Sequence, residues 1–152
     1  MPFSNMNDAA SNSPRKPHLI VTFGGWITGI GLILLALQCF VYPGVEEGYG
    51  VAPVDEKGFA YLLATGMRDL FLGITTIYLL LHFRASLPFF FLAMLIVPIS
   101  DTLIVLRYGD SMLSAWPHVV GIIGLSVISF FAYHESENTK AKIVVENSGA
   151  RI

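Results

Sequence analysis

The chain has a single cysteine, Cys39, set inside an apolar run. One thiol has no intrachain partner, which excludes a disulfide framework and leaves the redox compartment open. Charge is scarce as well: 13% of the residues are Asp, Glu, Lys or Arg, and 9 basic side chains face 11 acidic ones, for a net charge of −2. Without a basic surplus there is no electrostatic footprint for nucleic acid, and that class of partner is set aside. No H-x-x-x-H segment and no cysteine pair is present, so no metal site is expected. The phosphate-binding loop, the dinucleotide fingerprint and the nucleophile elbow are missing too, and no cofactor is expected. What fills the chain instead is hydrocarbon. Hydrophobic residues make up 54% of it, and the mean hydropathy of +0.64 is that of a protein whose solvent is largely lipid.

The apolar residues fall into four runs. The first, Leu19 to Tyr42, is interrupted only by Thr22, Thr28 and Gln38. It exceeds the ~20 residues needed to cross a hydrocarbon core and is too long for a signal-peptide core of ~7–15. Pro43-Gly44 stops it. Spans at about 59–83, 87–107 and 115–133 follow, the last with Pro117 in its first turn, where a missing N–H costs little. Residues 1–17, with Pro2, Pro14 and Pro17, read as a disordered tail, and 135–152 as a polar tail. The polar connection over 44–58 is longer than a tight turn, while the short link between the second and third spans makes those two helices antiparallel neighbours. The expected fold is therefore all-α: an integral, multi-pass four-helix bundle over 18–134.

Orientation follows from the basic residues outside the spans. Arg15, Lys16, Arg84, Lys140, Lys142 and Arg151 lie on the side of the two termini, which the positive-inside bias makes cytosolic. The opposite side is acidic, with Lys57 and, at a span end, Arg107 against Glu46, Glu47, Asp55, Glu56 and Asp110. At ~1.5 Å of rise per residue, Arg68 and Asp69 lie ~14 Å below that acidic side, Asp101 ~9 Å and His118 ~5 Å. Gln38 is at similar depth on the first span. Every strongly polar side chain within the bundle thus falls in one half, which points to a single cavity opening toward the acidic side.

A charge in hydrocarbon costs at least ~2.5–3.5 kcal/mol, so these groups are paired, hydrated or useful. Neighbouring helical positions are ~100° apart, so Arg68 and Asp69 are expected to point at different neighbours rather than at each other. Asp69 shares a face with Gly66, Gly73 and Thr76, whereas Arg68 is placed to reach Asp101. Pro98, three residues before Asp101, is expected to kink the third span beside the carboxylate, and such breaks line cavities or water. The candidate catalytic set is Arg68, Asp69, Asp101 and His118. In it, two carboxylates in different environments divide acid and base work and the arginine orients water or an oxyanion. A purely structural role, an Arg68–Asp101 ion pair that fixes helix register, is the competing reading. Gly25-x-x-x-Gly29, with Gly24 and Gly31 nearby, is a close-contact face, either within the bundle or between copies, so a homo-oligomer stays open. Lipid contact accounts for Phe89-Phe90-Phe91, and Trp26, Tyr42, Tyr108, Trp116 and Tyr133 mark interface belts.

Four spans, Gly-Met-Arg-Asp-Leu-Phe-Leu-Gly (Gly66 to Gly73) in the second, Ser100-Asp101 in the third and Pro117-His118 at the start of the fourth resemble a family of small four-helix membrane proteins of fungi and bacteria, formerly of unknown function. The resemblance covers about residues 19–134 and centres on Gly-x-Arg-Asp. Some fungal members lie in secondary-metabolite gene clusters, where they are assigned epoxide-opening or ring-closing steps after a flavin monooxygenase. What the resemblance implies is an epoxide hydrolase or cyclase acting on an apolar polyketide or terpenoid drawn from the bilayer. The sequence leaves the membrane itself unspecified, with the endoplasmic reticulum one candidate. Soluble epoxide hydrolases of the limonene type also use an Asp-Arg-Asp set, an analogy of chemistry across unrelated folds. By that analogy Asp101 is the base, Asp69 the acid and Arg68 orients both. The alternative is a four-span scaffold or assembly partner without catalysis.

Overall fold

Hydrocarbon offers the backbone no hydrogen-bonding partner, so an apolar run that crosses it closes its own bonds as a helix. The computed structural model describes residues 19–41, 56–109 and 112–149, with the side chains of 56–57 and 142–149 left undescribed. The expected N-terminal tail, Tyr42 and most of the 44–58 connection lie outside the described residues. The elements are α1 (Leu19–Val41), α2 (Glu56–His82), α3 (Leu87–Met94), α4 (Ile96–Tyr108) and α5 (Trp116–Gly149). Short 3₁₀ turns, Arg84–Ser86 and Met112–Ala115, precede α3 and α5. Among the described residues there is no strand. Four segments are long and apolar enough to cross a membrane: Leu19–Val41, Gly58–His82, Arg84–Tyr108 and Met112–Ala141. This fits an integral, multi-pass membrane protein.

The third span is two helices rather than one. Leu95 separates α3 from α4, and its N–H turns back to the carbonyl of Leu92 at 3.3 Å. Pro98 lies one turn further on and has no N–H to give, which is the reason the ladder fails at this level. Its buried ring sits against α5, where a Cβ on Gly121 would lie 3.5 Å from the proline Cβ. The fourth span departs from its expected limits at the other end. α5 runs on through the polar tail to Gly149, its exposed part carrying a Lys140–Glu137 pair at 2.9 Å.

The helices pack as two antiparallel layers, α1 along α2 and α3–α4 along α5. Glycines make the first contact possible. Gly25 faces Leu80, Gly66 faces Cys39, and a Cβ on Gly73 would come within 2.7 Å of the Gly29 carbonyl oxygen. The Gly25-x-x-x-Gly29 face is thus used inside the bundle. The two spans joined by the short turn meet less extensively than either meets its layer partner, chiefly through Thr76 against Met94, Leu80 near Leu87 and Phe91, and the polar groups described below. Thr76 is fully buried and its hydroxyl donates to the Leu72 carbonyl at 2.7 Å, so it brings no unsatisfied group into the core.

Side-chain size divides the bundle into two ends. Val21, Leu80, Leu87, Phe91, Met94, Leu125 and Ala132 fill one end. There Arg84 ties the layers together, donating from Nε to Glu135 Oε1 at 3.2 Å and from Nη2 to Thr22 Oγ1 at 3.1 Å. Phe91 corrects the reading of the aromatic run as lipid contact: Phe89 is 78% exposed, but Phe91 is wholly buried at the centre of the core. A helix turns by about 100° per residue, so three adjacent rings cannot all face lipid.

At the α1–α2 contact, Gly73→Leu is expected to destabilise the fold by about 1–3 kcal/mol, because the obstacle is backbone and cannot rotate away. That loss outweighs the ~1 kcal/mol of helix propensity gained. Unfolding in mixed detergent micelles, followed by circular dichroism, reads the difference.

Candidate functional site

Toward the end of the bundle away from that core, the two layers part around a cavity of about 410 Å³. Its walls come from α1, α2, both halves of the third span and α5, and most of them are apolar, including Ile27, Leu32, Leu72, Met94, Leu125 and Ile128. Gln38, Arg68, Asp69, Asp101 and His118 also line it. The four candidate catalytic residues and Gln38 are therefore brought to one cavity, although they come from four different spans.

Arg68 organises them. Its Nη1 and Nη2 donate to Asp101 Oδ1 and Oδ2, each at 3.0 Å, in a two-pronged pair across α2 and α4. Nε donates to Asp69 Oδ1 at 2.9 Å. That last bond corrects the expectation that Arg68 and Asp69 would not pair. The angle of about 100° constrains where the Cβ bonds point, but the arginine stem is long enough to fold back while its planar head offers Nε on one edge and the two terminal nitrogens on another. One guanidinium thus holds two carboxylates at once, with one N–H left on each terminal nitrogen.

The environments of the two carboxylates differ. Asp69 is 3% exposed, on the α2 face that carries Gly66 and Gly73. The Asp101 side chain keeps 14% of its surface and sits just after the broken turn, between Ser100 and Thr102, whose hydroxyls donate back to the carbonyls of Ile96 and Pro98. His118 follows Pro117 in the first turn of α5. Its Nδ1 is 3.9 Å from Asp101 Oδ2, within ion-pair range and beyond hydrogen-bond length. Its Nε2 is buried and has no hydrogen-bond partner among the described residues. The histidine expected near the rim is largely enclosed, with 11% of its side chain exposed. Two carboxylates against one guanidinium leave one negative charge in excess, which a single proton on either carboxyl or on the imidazole neutralises. The arrangement can therefore hold a proton and pass it, the elementary requirement for acid–base work.

Sequence reasoning found every charged member of this site and the break at Pro98, but not the rest of its apolar wall. A signal was present: Thr28, Gly31, Leu35 and Gln38 fall at helical spacing on one face of α1, as Gly121, Gly124 and Ile128 do on α5. Nothing in those spacings says that the two faces oppose each other. Among the described residues no group of three or more His, Cys, Asp and Glu is arranged to hold a metal ion.

The Arg68–Asp101 pair is open to a double-mutant cycle. Breaking a buried pair costs ~3–5 kcal/mol, and Arg68→Met should fall near the lower end because the arginine side chain keeps 30% of its exposure. Combined with Asp101→Asn, the two losses should fall short of additivity by at least ~1 kcal/mol, against the ~0.3–0.5 kcal/mol scatter of independent sites. Strict additivity of the unfolding free energies would contradict the pairing.

Residues 29–132 match the model of a domain of unknown function, DUF4267. The match opens within α1, closes within α5 and contains Arg68, Asp69, Asp101 and His118. No curated protein and no solved structure matches the chain. With most of its length covered by that one match, the chain belongs to the DUF4267 family.

Proposed function

We propose that this protein is a membrane-embedded acid–base enzyme that opens an epoxide on an apolar metabolite, by hydrolysis or by cyclisation. One observation carries the proposal: two carboxylates sharing an arginine form one end of a cavity whose remaining walls are mostly apolar. A purely structural ion pair needs no such space beside it.

In the proposed step the Asp101 carboxylate, held and oriented by both terminal nitrogens of Arg68, takes the proton of a water or of a substrate hydroxyl. The oxygen so activated forms a bond to one epoxide carbon as the C–O bond on that carbon breaks. Asp69, in its protonated form, delivers its proton to the departing epoxide oxygen. Water gives a vicinal diol; an internal hydroxyl gives a cyclic ether. Asp101 is left protonated and Asp69 ionised, and one proton returned between them restores the starting state. Arg68 touches both carboxylates, so it orients base and acid together, and His118 beside Asp101 is a station for the returning proton. Both roles for the carboxylates follow from environment: the more enclosed Asp69 suits the neutral acid, and Asp101 in a two-pronged pair suits the anion.

In this reading both termini face the cytosol, the membrane is that of the endoplasmic reticulum, and the charged half of the bundle lies nearer the lumen. An epoxide on a polyketide or terpenoid comes from a monooxygenation, so a flavin monooxygenase is the partner expected upstream. A second reading rests on the same three hydrogen bonds: Arg68 ties α2 to α4, and the protein is a scaffold or assembly partner in which that tie sets register. It predicts that Arg68→Ala lowers abundance instead of leaving a stable, inactive protein.

The deciding experiment is a metabolite profile of the native host with the gene deleted and then complemented. Deletion should accumulate an epoxide-bearing or uncyclised intermediate that the wild-type gene clears. Asp101→Asn, expressed to the same level, should clear it ~10²–10⁴-fold more slowly, the usual contribution of a positioned general base. Full clearance by that variant, or an unchanged profile on deletion, overturns the catalytic reading.

A further inference from the structure

Gly31 on α1 and Gly124 on α5 both line the cavity, and a Cβ built on either meets no heavy atom within 4 Å. Other glycines of the bundle differ. A Cβ would strike Ile128 from Gly24, Ile77 from Gly29, Cys39 from Gly66 and the Gly29 carbonyl oxygen from Gly73. Those residues are glycine because helices touch there. A side chain at Gly31 or Gly124 would meet none of the described residues at its Cβ, yet glycine inside a helix costs ~1 kcal/mol relative to alanine. The space they leave open is cavity.

Their placement relative to each other follows from a close contact between α1 and α5. Gly24 packs on Ile128, and the two helices run antiparallel, which brings Gly31 to within about one turn of the level of Gly124. The wall there is incomplete: Ile27, Leu35 and Val120 line the cavity and are also 60%, 42% and 44% exposed. An opening bordered by exposed aliphatic side chains at mid-helix looks sideways into lipid. An independent sign of a ligand comes from the polar end, where the buried Nε2 of His118 has no hydrogen-bond partner among the described residues. Buried polar atoms are nearly always satisfied, so an outside group belongs there.

Taking the catalytic reading above as its basis, we infer that Gly31 and Gly124 are specificity residues. They form a slot between α1 and α5 that admits the hydrocarbon part of an amphiphilic substrate directly from the bilayer. The oxygen-bearing end then meets His118 Nε2 and the remaining N–H groups of Arg68. The substrate class is a slender hydrocarbon with its polar oxygen function at one end, matched to a passage made by two missing side chains.

The test uses the full chain in phosphatidylcholine vesicles and a long-chain fatty alcohol bearing a diazirine. After photolysis, cross-links in wild type should map to the cavity-lining parts of α1 and α5. Gly31→Leu and Gly124→Leu should each reduce them ~10-fold or more, as filling a pocket by one or more methylenes does, with a smaller loss in Gly31→Ala. Melting temperatures at or above wild type check that the leucine variants fold, since nothing in the structure obstructs their Cβ. Unchanged labelling in folded leucine variants, or labelling confined to outward residues such as Phe23 and Leu34, overturns the slot. Turnover separates this inference from the one beneath it. If Asp101→Asn retains full turnover while the leucines block labelling, the catalytic reading falls and the slot stands; if Asp101→Asn is inactive while the leucine variants label and turn over normally, the slot alone falls.

Discussion

One guanidinium shared by two carboxylates governs this bundle. In a medium that solvates ions poorly, Arg68 cannot stand alone, and neither can Asp69 or Asp101. Because Asp69 is on the same helix as the arginine and Asp101 is on another, neutralisation and helix docking become the same event. The planar head of arginine is what permits it: two terminal nitrogens engage Asp101 in parallel while Nε serves Asp69. A lysine, with one nitrogen on a flexible stem, cannot hold both carboxylates in fixed relation.

The rest of the packing accommodates that group. At the end where Arg84 bridges Thr22 and Glu135, the bundle is closed by large apolar side chains, with Phe91 and Leu87 wholly buried. At the end of the charged group, the third span breaks at Leu95, Pro98 seats against Gly121, and the two helix layers diverge. Charge and space therefore coincide. A bundle that needed only to neutralise its charges would gain van der Waals contact by closing over them, and the cavity beside the ion group is what supports the proposed catalytic reading over a purely structural one.

The glycines divide along the same line. In α1 and α2, Gly25, Gly29, Gly66 and Gly73 let two backbones approach, which in lipid is a main source of helix association because apolar side chains gain little by leaving an apolar solvent. Gly31 and Gly124 carry no such contact. The same residue type thus serves contact at some positions and vacancy at others, and only the neighbouring helix tells the two apart.

Sequence alone determined what depends on the solvent and on local covalent structure. Runs of apolar residues longer than the membrane is thick have to be helices, a proline has to interrupt its ladder, and a charge within a span has to find a partner; Arg68, Asp69, Asp101 and His118 were legible for that reason. Tertiary structure decided what depends on relations between spans. Which edge of Arg68 meets which carboxylate, that Phe91 turns inward while Phe89 faces lipid, and that α1 and α5 stand apart around Gly31 and Gly124 are set by how four helices fit together. Helical periodicity gives each residue a direction about its own axis, but it carries no information about the azimuth of the next helix, and a cavity exists only between them.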